Sequence, residues 1–137
     1  SSSLDNTGES QLTIFLDSIT SLTPGDEIGI FDLHAITNYN DCSNQIGELL
    51  VGTGVWNGTQ LEIVTVGSVD LCSLEGPQLA GFVPGNPLIV KIYRPSNGLE
   101  YSTELSFGEG SGNFGYDLMQ SITNIMLVNP SSSRVTF

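Results

Sequence analysis

Leu88-Ile89-Val90-Lys91-Ile92-Tyr93-Arg94, followed by Pro95-Ser96-Asn97-Gly98 and then by Leu99-Glu100-Tyr101-Ser102-Thr103-Glu104-Leu105-Ser106-Phe107, reads as strand, turn and strand. The first segment is rich in β-branched and aromatic residues. The second alternates polar and apolar residues with a period of two. Pro, Asn and Gly between them are the residues that reverse a chain.

The same grammar extends in both directions. Gln11–Asp17 is β-branched and aromatic and reads as a first strand. Thr23-Pro24-Gly25-Asp26 places Pro and Gly where a type II turn requires them. Glu27–Asp32 then reads as a second strand, and a polar loop runs roughly from His34 to Gln45. Glu48–Trp56 reads as a third strand. Asn57-Gly58 is the strongest hairpin signal in the chain, and it leads into the alternating segment Gln60–Val66. A second loop, Gly67–Pro77, precedes the short apolar run Leu79–Val83. Gly108–Gly115 reads as a loop.

Tyr116–Val128 fits two periods. Leu118, Met119, Ile122, Ile125 and Met126 form a helical stripe, whereas Leu118, Gln120, Ile122, Asn124, Met126 and Val128 alternate. The β character of the rest favours a strand, ended by Asn129-Pro130. About eight strands separated by turn residues predict one all-β domain over residues 1–137. The expected fold is an antiparallel β-sandwich, immunoglobulin-like or jelly-roll-like.

The chain of 137 residues carries 15 acidic residues against three basic ones, a net charge of −12. Nucleic-acid binding depends on Lys and Arg, so this balance argues against it. It argues equally against anionic membrane surfaces. No apolar run approaches the roughly 20 residues of a membrane-spanning helix, so no membrane insertion is expected. The chain opens on Ser1-Ser2-Ser3 without Met, and reads as already processed or as part of something longer.

Cys42 and Cys72 lie in the two polar loops and are read as a disulfide, which places the chain outside the reducing cytosol. Two cysteines and the single His34 do not complete a Cys₂His₂ zinc set. Catalysis lacks a motif: there is no GxSxG elbow, and no Lys follows the Gly-rich run to reach a phosphate. The expectation is a protein without enzymatic activity and without an obligatory cofactor.

Calcium is the candidate ligand, because hard cations take oxygen donors from loops. Asp26, Glu27, Asp32, Asp41 and Asp70 are its candidate ligands; they also serve as turn formers and as a solvated surface. Trp56, Tyr93 and Tyr101, with Tyr39, are the candidates for a flat aromatic platform that a sugar ring would stack on. Core packing is the competing role for such rings. Asn57-Gly58-Thr59 is also an N-glycosylation acceptor triplet.

Gly25-Asp26-Glu27-Ile28-Gly29-Ile30-Phe31-Asp32 and Gly47-Glu48-Leu49-Leu50-Val51-Gly52 resemble a module of secreted and cell-surface proteins from Bacteroidetes-type bacteria. Gly67–Cys72, Gly81–Pro87, Lys91–Arg94 and Glu100-Tyr101 continue the resemblance, which covers most of residues 11–125. It implies a β-sandwich, export associated with type IX secretion, and a role in surface architecture or adhesion. It transfers no catalytic residue. No sorting domain is visible, which favours a small subunit.

Two functions compete. The first is an extracellular structural subunit that polymerises with copies of itself into a filament, tube or layer. Its termini, residues 1–10 and 131–137, are candidates for adding a strand to a neighbour's sheet edge. The second is a carbohydrate- or surface-binding accessory module of a larger secreted protein, with surface glycans as partners.

Overall fold

The structure is a computed structural model that describes residues 9–132 and 137. Nine strands are found among them: β1 (Ser10–Phe15), β2 (Glu27–Ile36), β3 (Ile46–Val55), β4 (Leu61–Val66), β5 (Val69–Asp70), β6 (Gln78–Leu79), β7 (Ile89–Arg94), β8 (Leu99–Glu109) and β9 (Met119–Ser131). Seven join one sheet in the order β3-β2-β7-β8-β9-β1-β4, and β5 pairs with β6. One short 3-10 turn, Cys72–Leu74, is the helical element among the described residues. The chain is therefore all-β, as its alternation predicts.

One ladder departs from the antiparallel expectation. β1 runs parallel to β9, with Leu12 opposite Met119 and Phe15 opposite Ile122. Alternation reports which residues share a face, not strand direction. β1 and β9 lie far apart in sequence, so no hairpin dictates how they pair.

The long strands β8 and β9 make the sheet roll. The start of β8 pairs with β7, while the start of β9 pairs with β1. The two ends of the sheet consequently meet, in a near-barrel compatible with a sandwich. A Cβ added to Gly52 on β3 would lie 3.1 Å from the Val64 carbonyl oxygen on β4. Only a residue without a side chain lets the strands approach so closely. Inside the roll, Phe15, Ile28, Ile30, Trp56, Val90, Ile92, Phe114, Ile122 and Ile125 form the core. Phe82 stacks on Phe114 with ring centroids 4.8 Å apart.

Three local expectations need correction. Asn57-Gly58 does not close a hairpin, since β3 pairs with β2 and β4 pairs with β1. Gly58 has φ +93°, but Asn57 is not in the left-handed region, whereas a type I′ turn needs both. Asn57 Oδ1 instead accepts from the Thr59 amide and hydroxyl, and the chain arches from one end of the sheet to the other. Asn129-Pro130 does not end β9, which continues to Ser131. Asn129 takes φ +49° at an irregularity in the β8–β9 register, the kind of place that tolerates Pro within a sheet. The loop from His34 begins later, because β2 runs to Ile36. Of the candidate strand-exchanging termini, residues 1–8 and 133–136 lie outside the described residues.

Candidate functional site

β1 turns its faces in an unexpected sense. Gln11, Thr13 and Phe15 are buried, while Leu12 and Ile14 on the opposite face remain partly exposed. Gln11, with Gln120 on the adjacent β9, is occupied by a loop, while the Thr13 hydroxyl is buried without a hydrogen-bond partner. Gln11 Nε2 donates to the Asp117 carbonyl (2.7 Å), and Gln120 Nε2 donates to the Asn113 carbonyl (2.7 Å). Gln120 Oε1 accepts from the Gly112 amide (2.6 Å). Holding the loop in this way turns Gln11 of β1 and Gln120 of β9 inward, where apolar side chains would otherwise pack.

The outer face becomes apolar as a result. Leu12 lies opposite Val64 on β4 and Met119 on β9, and Ser10 lies opposite Val66. Residues directly opposite on one face stand about 5 Å apart, so Leu12, Ile14, Val64, Val66 and Met119 make one continuous patch, with Glu62 opposite Ile14 at its edge. Val64 is 59% exposed and the neighbouring Leu118 is 96% exposed. The patch is contiguous, unlike single scattered apolar side chains on a surface. Beside it, an open groove of about 270 Å³ runs between Ser10, Val69, Phe82 and Pro84.

The five candidate calcium ligands are dispersed and engaged. Asp26, 1% exposed, is held by Arg94. The hydrogen bonds it accepts, and after them its charge, keep the Arg94 guanidinium above its ordinary pKa, despite the opposing cost of burial. Asp32 is buried and accepts from the His34 and Val83 amides and from Asn86 Nδ2. Glu27 opens β2, opposite Tyr93 and Val55. Asp41 and Asp70 belong to another region, near the disulfide. Among the described residues, no group of three His, Cys, Asp or Glu side chains is placed to hold a metal ion.

The loops around Cys42 and Cys72 are tied as expected, with a disulfide of Cα–Cα distance 6.1 Å. Buried Gln78 links them. Its Oε1 accepts from Asn38 Nδ2 and the Asn44 amide, and its Nε2 donates to Asn44 Oδ1 and Asp70 Oδ2. The Ser43 hydroxyl and amide, with Asn38, hold the Asp41 carboxyl below the usual range. The Cys72 amide and Gln78 do the same for Asp70. Sequence reading found the cysteines and both aspartates but missed Asn38, Asn44 and Gln78, which carry no charge or motif.

The aromatic platform does not form. Trp56, only 2% exposed, belongs to the core. Trp56 N donates to the Asp26 carbonyl, and its own carbonyl accepts from the Gly25 amide, so the residue stays tied to β2 and its indole turns inward. Tyr101 packs against the same core, under Arg94 at 5.6 Å. Tyr93 points to the opposite face by strand alternation. Tyr39 is exposed in a separate loop, and the His34 side chain is exposed on β2. No helix among the described residues is long and apolar enough to cross a membrane. Comparison with protein-family models, with curated proteins and with solved structures gives no match.

Proposed function

We propose that this chain is an exported, non-catalytic structural subunit that assembles with copies of itself into a surface filament, tube or layer. The observation that carries the reading is the apolar outer face centred on Leu12, Val64 and Met119. A chain of net charge −12 repels its own copies. A contact between copies therefore favours a weakly charged face, and this one is mostly aliphatic. A non-isologous use of such a face propagates an open polymer. The disulfide supports an oxidising, extracellular setting. The resemblance to modules of exported surface proteins points the same way.

The test is electron microscopy of the purified chain at physiological salt, with and without EDTA, beside a Val64→Lys variant. Ordered polymers that vanish in Val64→Lys, with the variant's circular dichroism unchanged, support the reading. Dispersed monomers at all concentrations overturn it. Because the five candidate calcium ligands are dispersed, polymers are expected to survive EDTA.

A further inference from the structure

A second apolar feature lies on the outer face of the other half of the sheet. Gly29 on β2 lies between Thr53 on β3 and Lys91 on β7. A Cβ on Gly29 would meet Phe31 Cε1 at 2.9 Å, Leu50 Cδ1 at 3.2 Å and Phe137 Cε2 at 3.2 Å. The missing side chain thus forms the floor of a socket, and the Phe137 ring fills it. Phe137 is 8% exposed and meets Phe31 edge-on, with centroids 5.7 Å apart. Lys91 Nζ lies over the Phe31 ring at 4.6 Å and reaches Glu48 Oε2 at 3.0 Å. Phe31 and Phe137 are buried, yet neither belongs to the core inside the roll.

This arrangement has the parts of a side-chain binding site, set apart from the core inside the roll. Its floor accepts a flat ring, Phe31 offers an edge-to-face partner, and Lys91 supplies a cation at the rim. Ser131 lies in register with Glu100, Tyr93 and Glu27, in one row across β9, β8, β7 and β2. Three strand spacings and two residues along β2 separate Ser131 from Gly29, about 16 Å. Six residue steps reach at most about 20 Å. A copy whose socket lies within that span of the end of β9 is open to the same segment. Exchange of an identical element between protomers replaces a contact by its equal, so it is a low-cost route to association. Inside a polymer the neighbour's tail is present at high effective concentration.

We propose that the Gly29 socket binds the Phe137 side chain of a second copy, so that tails exchanged in trans link subunits; this rests on the self-assembly reading above.

The experiment mixes two variants, both carrying Val64→Lys so that the apolar outer face does not polymerise them. Gly29→Val fills the socket and keeps the tail; Phe137→Ala keeps the socket and blunts the tail. Each is first shown by circular dichroism and Trp56 emission to be a folded monomer. At concentrations up to about 1 mM, the range in which one side-chain contact saturates, native mass spectrometry of the mixture is expected to show a heterodimer that neither variant forms alone. A mixture of folded monomers overturns the proposal. Should Gly29→Val fail to fold, a peptide of residues 130–137 is titrated into Phe137→Ala. Saturable chemical-shift changes at Leu50 and Lys91, lost when the peptide carries Ala for Phe, are expected; their absence overturns the proposal. Wild-type polymers that Val64→Lys abolishes, together with no complementation, would leave the assembly reading standing and remove the exchange alone.

Discussion

Arg94 grips Asp26 with two guanidinium nitrogens, Nη2 to Oδ2 at 2.8 Å and Nε to Oδ1 at 3.0 Å, and fastens the turn before β2 to the end of β7. Nη2 also donates to the Ser21 carbonyl at 2.9 Å, and Asp26 Oδ2 accepts from the Thr23 amide at 2.8 Å. The pair therefore holds the whole 21–26 turn. Removing one partner leaves the other charge buried and unpaired, which costs about 3 kcal/mol or more. Arg94→Ala and Asp26→Ala should each lower the unfolding free energy from urea titration to that extent. The double variant should cost clearly less than their sum, because both remove one interaction. Additive costs in the cycle would show that the pair contributes little.

The disulfide joins residues 30 positions apart, in loops that otherwise cohere through Gln78. A loop of that length restricts the unfolded chain enough to stabilise the fold by about 3 kcal/mol. Reduction should therefore shift the urea midpoint down by that amount and leave the main sheet formed, since neither cysteine lies in it. Gln78→Leu in the oxidised protein should cost about 1–3 kcal/mol, as the Asn38 and Asn44 groups lose their partner. An unchanged midpoint on reduction would contradict the entropic account.

Acid should act first at the same loops. Asp41 and Asp70 have carboxyls held below the usual range by donors present only in the folded chain. A depressed folded pKa contributes stability above the unfolded value, near pH 4, and loses it as pH falls through the folded pKa. Amide protection around Ser43 and Cys72, corrected for the intrinsic exchange rate, should fall below about pH 4, ahead of global unfolding. Asp41→Asn with Asp70→Asn should flatten that dependence. A wild-type loop as protected at pH 2.5 as at pH 6 would rule this out.

The strands were legible because period two survives wherever one face is buried, and even Met119–Ser131 resolved once its neighbours read as β. The disulfide was legible from two cysteines in polar loops. Partner choice was not: Asn57-Gly58 has hairpin chemistry, yet Gly25 and Asp26 in the turn before β2 hold Trp56 until the chain has left for β4. The direction of β1 was equally hidden, because Gln11 and Gln120 go inward to serve a loop that only folding brings beside them. Hydrophobicity alone would have turned Leu12 and Ile14 into the core. The apolar outer face was therefore invisible in the sequence, and so was the Gly29 socket, whose floor is a missing side chain.

Gly52 and Gly54 decide whether the sheet has open edges. A Cβ on Gly52 would meet Ile63 Cγ2 at 3.0 Å and Thr65 Cγ2 and the Val64 carbonyl at 3.1 Å; one on Gly54 would meet Ile63 Cδ1 at 2.9 Å. The Val64 contact is with backbone, so β4 itself has to move. Gly52→Val should cost about 1–3 kcal/mol, the usual range for overpacking. It should also prise β3 from β4 and expose strand edges that this seam keeps covered. Unprotected edges recruit other chains. The expected signature is faster amide exchange at Ile63, Val64 and Thr65, with irregular aggregates in place of ordered polymers. A Gly52→Val chain that keeps wild-type exchange in β4 would mean that the seam is loose and that the edges are covered by something other than each other.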